Sequence, residues 1–203
     1  MKADKGDLDG ALADFNKSIE LDPKHAIAYY NRGLARQGKG SLDGASADYN
    51  KAIELKPDEA NAYDGRGALK RVQGNLDGAL FDFNKAIELS PGYAGAYCNR
   101  GLAKIDLGDL DGALADFNKA TELNPSSFEA YNNRGSAKKA EGDLDGALAD
   151  YNKAIELKPD DFRIYDDRGL LKKAKGDSES ALGDYNKAIE INPKYASAYH
   201  SRG

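Results

Sequence analysis

The 203-residue sequence has little of what disulfides, metal centres and membrane spans require. One cysteine, Cys98, excludes an internal disulfide, and two histidines, His25 and His200, do not provide a metal-ligand cluster. No run approaches the roughly 20 apolar residues of a membrane-spanning helix, so we expect no membrane partner. Composition leaves the compartment unconstrained, and the cytoplasm is only a default.

Charge of either sign is not in large excess. Lysine and arginine total 29 against 34 aspartates and glutamates, a net charge of −5, so the strongly basic footprint of a nucleic-acid binder is lacking. No nucleophile, base and orienting residue form a recognisable set, and no glycine-rich loop is suited to phosphate. We therefore expect neither an enzyme, nor a cofactor, nor a nucleic-acid partner.

The sequence does contain a strict repeat of 34 residues. Shifting the chain by that interval superposes all six prolines, which are Pro23, Pro57, Pro91, Pro125, Pro159 and Pro193. A fixed period between about 20 and 50 residues is typical of arrays whose units bury their apolar faces against one another. We predict a single domain, 1–203, in which partial repeats 1–25 and 196–203 flank five whole repeats. The whole repeats are 26–59, 60–93, 94–127, 128–161 and 162–195.

Each repeat carries two helical patterns separated by a glycine and a capping residue. Glycine favours the left-handed conformation just beyond a helix end, and its row is Gly6, Gly40, Gly74, Gly108, Gly142 and Gly176. The next row can accept hydrogen bonds from the free amides of a new helix, and it is Asp7, Ser41, Asn75, Asp109, Asp143 and Asp177. The prolines then end the second helix because proline has no amide hydrogen to donate.

Small and aromatic residues recur where the helices should touch. Alanines dominate two second-helix rows, starting at Ala11 and Ser18, and a glycine row starting at Gly33 falls inside the first helix. Glycine inside a helix costs roughly 0.5 to 1 kcal/mol relative to alanine, so we expect close helix approach to compensate it. Aromatic rows starting at Tyr29 and Phe15 are predicted to fill the resulting space.

Together these features resemble the tetratricopeptide repeat. The matching residues of repeat 26–59 are Tyr29, Gly33, Ala45, Tyr49, Ala52 and Pro57. The resemblance covers the whole chain. It implies an all-α fold of antiparallel helix pairs stacked into a right-handed superhelical solenoid, with the first helices lining a concave groove. It also implies a non-catalytic scaffold whose partners are proteins or peptides.

The chain departs from the family pattern at two positions. Tyrosine replaces the expected tryptophan, and arginine replaces the leucine before the mid-helix glycine. This arginine row is Arg32, Arg66, Arg100, Arg134, Arg168 and Arg202. A guanidinium at a packing position is costly unless an anion compensates it. A second-helix aspartate row offers that anion, and it is Asp14, Asp48, Asp82, Asp116, Asp150 and Asp184.

We therefore hypothesise a ladder of bidentate ion pairs in which each arginine binds an aspartate of its own or the preceding repeat. The alternative is that the arginines extend outward and the aspartates are solvated. A further basic row one turn later, starting at Arg36, is explained by the helix dipole and is given no function.

By resemblance, the groove is built from first-helix rows whose chemistry changes between repeats. The predicted peptide-binding residues are Tyr30, Asn31, Leu34, Arg71, Asn99, Leu102, Ile105, Asn132 and Asn133. A carboxamide offers two donors and an acceptor, which matches a peptide backbone of any sequence. Aspartates in the same rows, Asp64, Asp166 and Asp167, are expected to attract a basic segment. The alternative is that polar side chains merely keep an empty groove hydrated.

One class of partner is not expected. The resemblance implies that family members which bind chaperone tails hold a terminal carboxylate with basic groove residues. The Tyr30 row has no lysine and the Asn31 row has no arginine, so this clamp is missing.

A second function is suggested by the chain ends. Residues 1–5 and 196–203 are complementary parts of a first helix, so a head-to-tail contact between copies would build a filament or ring. We keep self-association as an alternative or additional role, either biological or due to truncation of a longer protein.

Overall fold

The computed structural model describes residues 7–203, and over that range its regular secondary structure is entirely helical. The all-α fold class is therefore confirmed. Residues 1–6, which include Gly6 and the proposed N-terminal half-helix, lie outside the described range. The helices are α1 (Leu8–Leu21), α2 (Ala26–Gly38), α3 (Leu42–Leu55), α4 (Ala60–Val72), α5 (Leu76–Leu89), α6 (Ala94–Asp106), α7 (Leu110–Leu123), α8 (Phe128–Glu141), α9 (Leu144–Leu157), α10 (Phe162–Ala174), α11 (Ser178–Ile191) and α12 (Ala196–Arg202).

The chain separates into two compact units. The first ends at Ala103, and the second begins at Lys104. In the first unit α2 packs on α3 and α4 packs on α5, and in the second α8 packs on α9 and α10 packs on α11. Short connections make the helices of each pair antiparallel. First helices of successive repeats also touch, α2 with α4 and α8 with α10. Their neighbouring faces carry the candidate site. The prediction of one continuous domain stays a prediction.

The glycine row ends the first helices as the sequence predicts. Five glycines have positive φ, between 78° at Gly40 and 96° at Gly142. The amide of the following residue then bonds the carbonyl five residues back, as from Ser41 N to Arg36 O at 2.9 Å. This is the Schellman arrangement that satisfies carbonyls at a helix end.

The capping row precedes the second helices as predicted, and five of its six residues make a side-chain capping bond. Asp7, Asn75, Asp109, Asp143 and Asp177 each accept a hydrogen bond from the amide three residues later. Ser41 is the N-cap residue of α3, so this helix also begins where predicted, but the Ser41 side chain accepts no capping hydrogen bond.

The packing rows form the core of each unit. Ala45, Tyr49, Phe83 and Ala86 are fully buried in the first unit, as are their counterparts Ala147 and Ala154 in the second. A Cβ atom added at Gly67 would lie 2.8 Å from the Phe83 ring. The glycine row therefore permits the close helix approach that the sequence suggested.

The first-helix tyrosines are less buried than the second-helix rings. Tyr63 and Tyr165 are 9% exposed, Tyr29 is half-buried, and Tyr199 is 44% exposed. The prediction that both aromatic rows are core is therefore too strong for the first-helix row, where one ring face is covered by an arginine instead.

Candidate functional site

In four described arginine–aspartate pairs, the guanidinium binds the carboxylate through two hydrogen bonds in bidentate geometry. Arg66 donates from Nε to Asp82 Oδ2 at 2.8 Å and from Nη2 to Oδ1 at 2.6 Å. The same two bonds join Arg32 to Asp48, Arg134 to Asp150, and Arg168 to Asp184. The aspartate side chains are buried, and Asp82 is 0% exposed. Fork-to-fork geometry of this kind is both strong and directional.

Each of these aspartates lies in the arginine's own repeat, 16 residues later. Arg66 therefore binds Asp82 and not Asp48 of the preceding repeat, which was the other possibility left open by the sequence. Asp14 departs from the row. Its side chain is exposed. Its place in the ladder stays a prediction.

A second cation reaches the same carboxylates. Arg36 lies 2.8 Å from Asp48, and the equivalent lysines lie 2.7 to 2.9 Å from their aspartates. These lysines are Lys70, Lys104, Lys138 and Lys172. From the sequence, this row was expected only to interact favourably with the helix dipole. This row lies four residues after the arginine row, which puts both cations on one helix face. That spacing could have identified it as the second cation beside each aspartate.

The arginines also reach the preceding repeat. Arg66 Nη1 donates to Asn50 Oδ1 at 2.7 Å, and Arg134 Nη1 donates to Asn118 Oδ1 at 3.1 Å. The guanidinium carbons lie 5.3 to 5.6 Å from the centroids of the first-helix tyrosine rings. One guanidinium thus links two helices of its own repeat to the repeat before it, which makes this row scaffold.

The predicted peptide-binding residues all lie on first helices, and none is buried. Leu34 is 43% exposed and Ile105 is 39% exposed. The half-buried members are Tyr30, Asn31, Arg71, Asn99, Leu102, Asn132 and Asn133. Tyr30 is partly committed to packing, because its ring centroid lies 6.0 Å from that of Tyr49.

In the first unit, Asn99 is already engaged. Its Nδ2 donates to both oxygens of Asp64, at 2.9 and 3.1 Å, and the Tyr93 hydroxyl donates to Oδ2 at 3.0 Å. Asp64 is 8% exposed. The carboxylate therefore joins neighbouring first helices through the Asn99 amide nitrogen.

Burial governs the titration of this cluster. Desolvation raises the pKa of Asp64, although the hydrogen bonds from Asn99 and Tyr93 oppose the shift. Burial together with the Asp64 charge raises the pKa of Tyr30 to about 12 and also raises the pKa of Tyr93. Both tyrosines consequently remain hydrogen-bond donors at neutral pH.

The second unit has the same connection with donor and acceptor exchanged. Asn132 Nδ2 on α8 donates to Asp167 Oδ2 on α10 at 3.2 Å, and the spacing of 35 residues equals that of Asp64 and Asn99. Desolvation, with the Asp166 charge, raises the pKa of Asp167. Asp166 is 3% exposed and accepts a hydrogen bond from Ser197 at 2.8 Å.

A cavity of about 330 Å³ opens beside this connection, and we call it the α8–α10 pocket. Its lining is part polar and part apolar, and consists of Phe128, Glu129, Asn132, Asn133, Asp161, Arg163, Ile164, Asp167 and Tyr195. Two of the predicted groove asparagines thus meet in one depression. The Asn132 Oδ1 atom is buried and accepts no hydrogen bond within the described chain.

Sequence reasoning missed the residues that precede each first helix. Glu59, Ser127, Asp161 and Tyr195 occupy the N-cap positions of their helices, and Tyr93 directly precedes α6. Tyr93, Asp161 and Tyr195 take part in the cluster or the pocket. This row varies as much as the groove rows, and that variation was the available signal.

Two absences apply to the described residues alone. No helix within 7–203 combines the length and the apolar character needed to cross a membrane. Among the same residues no three His, Cys, Asp or Glu side chains are grouped so that they could hold a metal ion.

Solved structures share this fold. YrrB, described as a TPR protein with an unusual peptide-binding site, is 30% identical, with a TM-score of 0.66 over 93% of this chain and 97% of its own. MamA is 28% identical, with a TM-score of 0.68 over 81% of this chain and 96% of its own. A TPR protein from Thermus thermophilus is 23% identical, with a TM-score of 0.75 over 87% of this chain and 96% of its own, and it shows the fold alone.

Among curated protein sequences, none matches this chain. Family models do match. One described as TPR repeat covers residues 1–40, 67–105 and 169–203, and two described as tetratricopeptide repeat cover 98–162 and 26–59. Proteins of this fold bind protein or peptide partners and are generally non-catalytic scaffolds. With the 34-residue period and the helix pairs, these matches place the chain in the tetratricopeptide-repeat family.

Proposed function

We propose that the chain is an interaction scaffold that binds an extended peptide along the faces of its first helices. The observation that carries the proposal is the contrast between constant and variable rows. The ion-pair residues and packing residues recur almost unchanged in every repeat. The first-helix rows that contain Asp64, Asn99, Asn132 and Asp167 differ in residue type between repeats, and these four side chains are half-buried or buried.

The chemistry of these positions suits a peptide backbone. Asn132 and Asn133 lie in one pocket, and the carboxamide side chains offer donors and acceptors at a depth where water is partly excluded. Leu34 and Ile105 add exposed apolar surface. The similarity to YrrB, a protein with a peptide-binding site, supports the same class of partner.

The test is selection of peptides from a random phage-displayed library against the full chain, followed by affinity measurement. We expect replacement of Asn99 and Asn133 by alanine to weaken the selected peptides by at least about tenfold, since buried hydrogen bonds to the ligand are lost. The matched control replaces Asn50 and Asn186, which lie on second helices, by alanine. Unchanged affinity in the Asn99 and Asn133 variant would remove these residues from the site, and failure to select any peptide would refute the function.

Self-association is a second candidate function, supported by the surface of α11 and α12. Leu182 on α11 is 44% exposed, whereas its counterpart Leu148 is half-buried. A cavity of about 140 Å³ lies beside Leu182, and the Tyr185 hydroxyl is buried there without a hydrogen-bond partner. An apolar helix face from another copy would cover Leu182.

Light scattering across a concentration series tests this role. The wild type is expected to gain mass with concentration, and Leu182→Asp is expected to remain monomeric because a charge opposes burial of the contact. Phe81→Ser, which alters an apolar side chain that is 66% exposed elsewhere, is the control. A wild type that stays monomeric throughout would exclude the role.

A further inference from the structure

We propose that the α8–α10 pocket holds a basic side chain, the ammonium of lysine or the guanidinium of arginine, supplied by the partner peptide. This inference rests on the groove-binding function proposed above and names the chemistry that one of its subsites selects. Three observations support it: the charge of the lining, its hydrogen-bond acceptors, and the apolar wall.

The charge of the lining is negative. Arg163 is neutralised locally, because it donates to both oxygens of Asp161, at 2.9 and 2.5 Å. Glu129 and Asp167 also line the pocket, and neither forms a salt bridge within the described chain. The charges of Lys139 and Arg163 both act on Asp167. The lining nevertheless holds three carboxylates, those of Glu129, Asp161 and Asp167, against the one guanidinium of Arg163.

The acceptors that the lining presents are carboxylates. Asn132 donates its amide nitrogen to Asp167 at 3.2 Å, so this donor is already used within the chain. Glu129 is exposed and Asp167 is half-buried, so oxygen atoms of both can accept from a ligand. Ammonium and guanidinium groups are donors without acceptor capacity, so they match this lining, whereas a carboxylate does not.

The remaining wall is apolar. Phe128, Ile164 and Tyr195 line the same cavity, and Ile164 is 1% exposed. Lysine and arginine carry aliphatic stems that pack on apolar surface while the charged end remains polar. A volume of about 330 Å³ is large enough for one such side chain.

The first compact unit shows what a satisfied version of this arrangement looks like. Asp64 occupies the corresponding connection but already accepts hydrogen bonds from Asn99 and Tyr93. Its carboxylate needs no ligand to complete its bonding. The selectivity for a basic side chain therefore belongs to the α8–α10 pocket.

The first experiment uses small probes that need no peptide groove. The ¹⁵N-labelled full chain is titrated with N-acetyl-lysine methylamide and N-acetyl-arginine methylamide, and with the norleucine and glutamate analogues. At least one basic probe is expected to bind in the millimolar range and shift the amides of Asn132, Asn133 and Asp167, while the norleucine and glutamate analogues do not.

Asp167→Asn should weaken this binding at least about tenfold. Asp111→Asn makes the same change of charge at an exposed position on α7 and should leave the binding of the basic probes unchanged. Equal shifts from all four probes, or none from the basic probes, would overturn the proposal.

The second experiment separates this inference from the groove function. In peptides selected from the library, lysine or arginine is replaced by norleucine and affinity is measured on wild type and on Asp167→Asn. We expect at least about a tenfold loss on the wild type and little on the variant. Peptides that bind but tolerate the replacement would overturn the pocket assignment and leave the groove function standing. Failure to select any peptide would overturn both.

Discussion

Among single residues, the buried carboxylates divide into two kinds. Asp82 is bound by Arg66 in bidentate geometry and by Lys70 at 2.7 Å, so its negative charge is compensated where it lies. Asp167 is partly desolvated and accepts a hydrogen bond from a neutral amide. The first kind stabilises the scaffold, and the second leaves bonding capacity for a ligand.

The ion pair should be strongly non-additive in a double-mutant cycle. Asp82→Ala is expected to lower the free energy of unfolding by about 3 kcal/mol, because it leaves two cations beside a dry cavity. Arg66→Leu also costs stability, yet the double variant should lose about 1 to 3 kcal/mol less than the sum of the two. Chemical denaturation of the four proteins measures the coupling. Additive losses would show that the pair is solvated.

The ionised Asp167 carboxylate should lower the free energy of unfolding at pH values above its pKa in the unfolded chain. Its pKa is raised in the folded state, so the folded chain holds the proton more tightly than the unfolded chain. Stability therefore falls as pH rises from the unfolded pKa through the raised folded pKa. Asp167→Asn removes this cost and should be more stable than wild type at pH 7.

Denaturation at several pH values checks that prediction. The advantage of Asp167→Asn should shrink as pH falls below the unfolded pKa, where the carboxyl is protonated in both the folded and the unfolded chain. A variant less stable than wild type at pH 7 would contradict it. A more stable variant that loses basic probes would also show that lost binding is not caused by unfolding.

Among the helices, glycine has opposite roles at two positions. Gly67 in α4 faces Phe83, and an added Cβ would lie 2.8 Å from that ring and 3.2 Å from the Ala79 carbonyl oxygen. Gly183 in α11 has nothing within 4 Å of its added Cβ. The same substitution to alanine should therefore have opposite signs.

Gly67→Ala is expected to destabilise the chain by about 1 to 3 kcal/mol through overpacking. Gly183→Ala is expected to stabilise it by about 0.5 to 1 kcal/mol through helix propensity. Thermal or chemical denaturation of the two variants provides the comparison, and each serves as the control for the other. If both variants are stabilised, the helices can separate to accept the methyl group.

Across the whole molecule, a repeat array should unfold locally. Contacts within each compact unit run between helices that are close in sequence, such as α4 with α5 and α10 with α11. In such arrays stability is approximately a sum over repeats and their nearest interfaces. A damaged repeat should therefore weaken its own region more than a distant one.

Hydrogen exchange measures this locality. Asp82→Ala should reduce amide protection most in α4 and α5, and Asp184→Ala should do so most in α10 and α11. The two variants carry the same change in different repeats, so each is the reference for the other. Uniform loss of protection in both would instead indicate one cooperative unit.

The parts of the fold that depend on short-range rules were predictable from the sequence. Helix boundaries follow from Gly40 and its row, from the prolines, and from the capping residues, because each acts on backbone groups within about five residues. Packing rows were also readable, because alanine, glycine and aromatic residues return every 34 positions. Ser41 is the exception, since a capping residue need not make its side-chain bond.

The contacts between helices depended on the tertiary structure. Arg66 binds Asp82 rather than Asp48, and Lys70 joins it as a second cation. The 35-residue connections, from Asp64 to Asn99 and from Asn132 to Asp167, are set by how far neighbouring helices are rotated and offset. The α8–α10 pocket likewise combines side chains from two successive repeats. They include Asp161 and Tyr195, which directly precede α10 and α12. A linear pattern identifies which residues vary, but only the packed helices determine which of them meet.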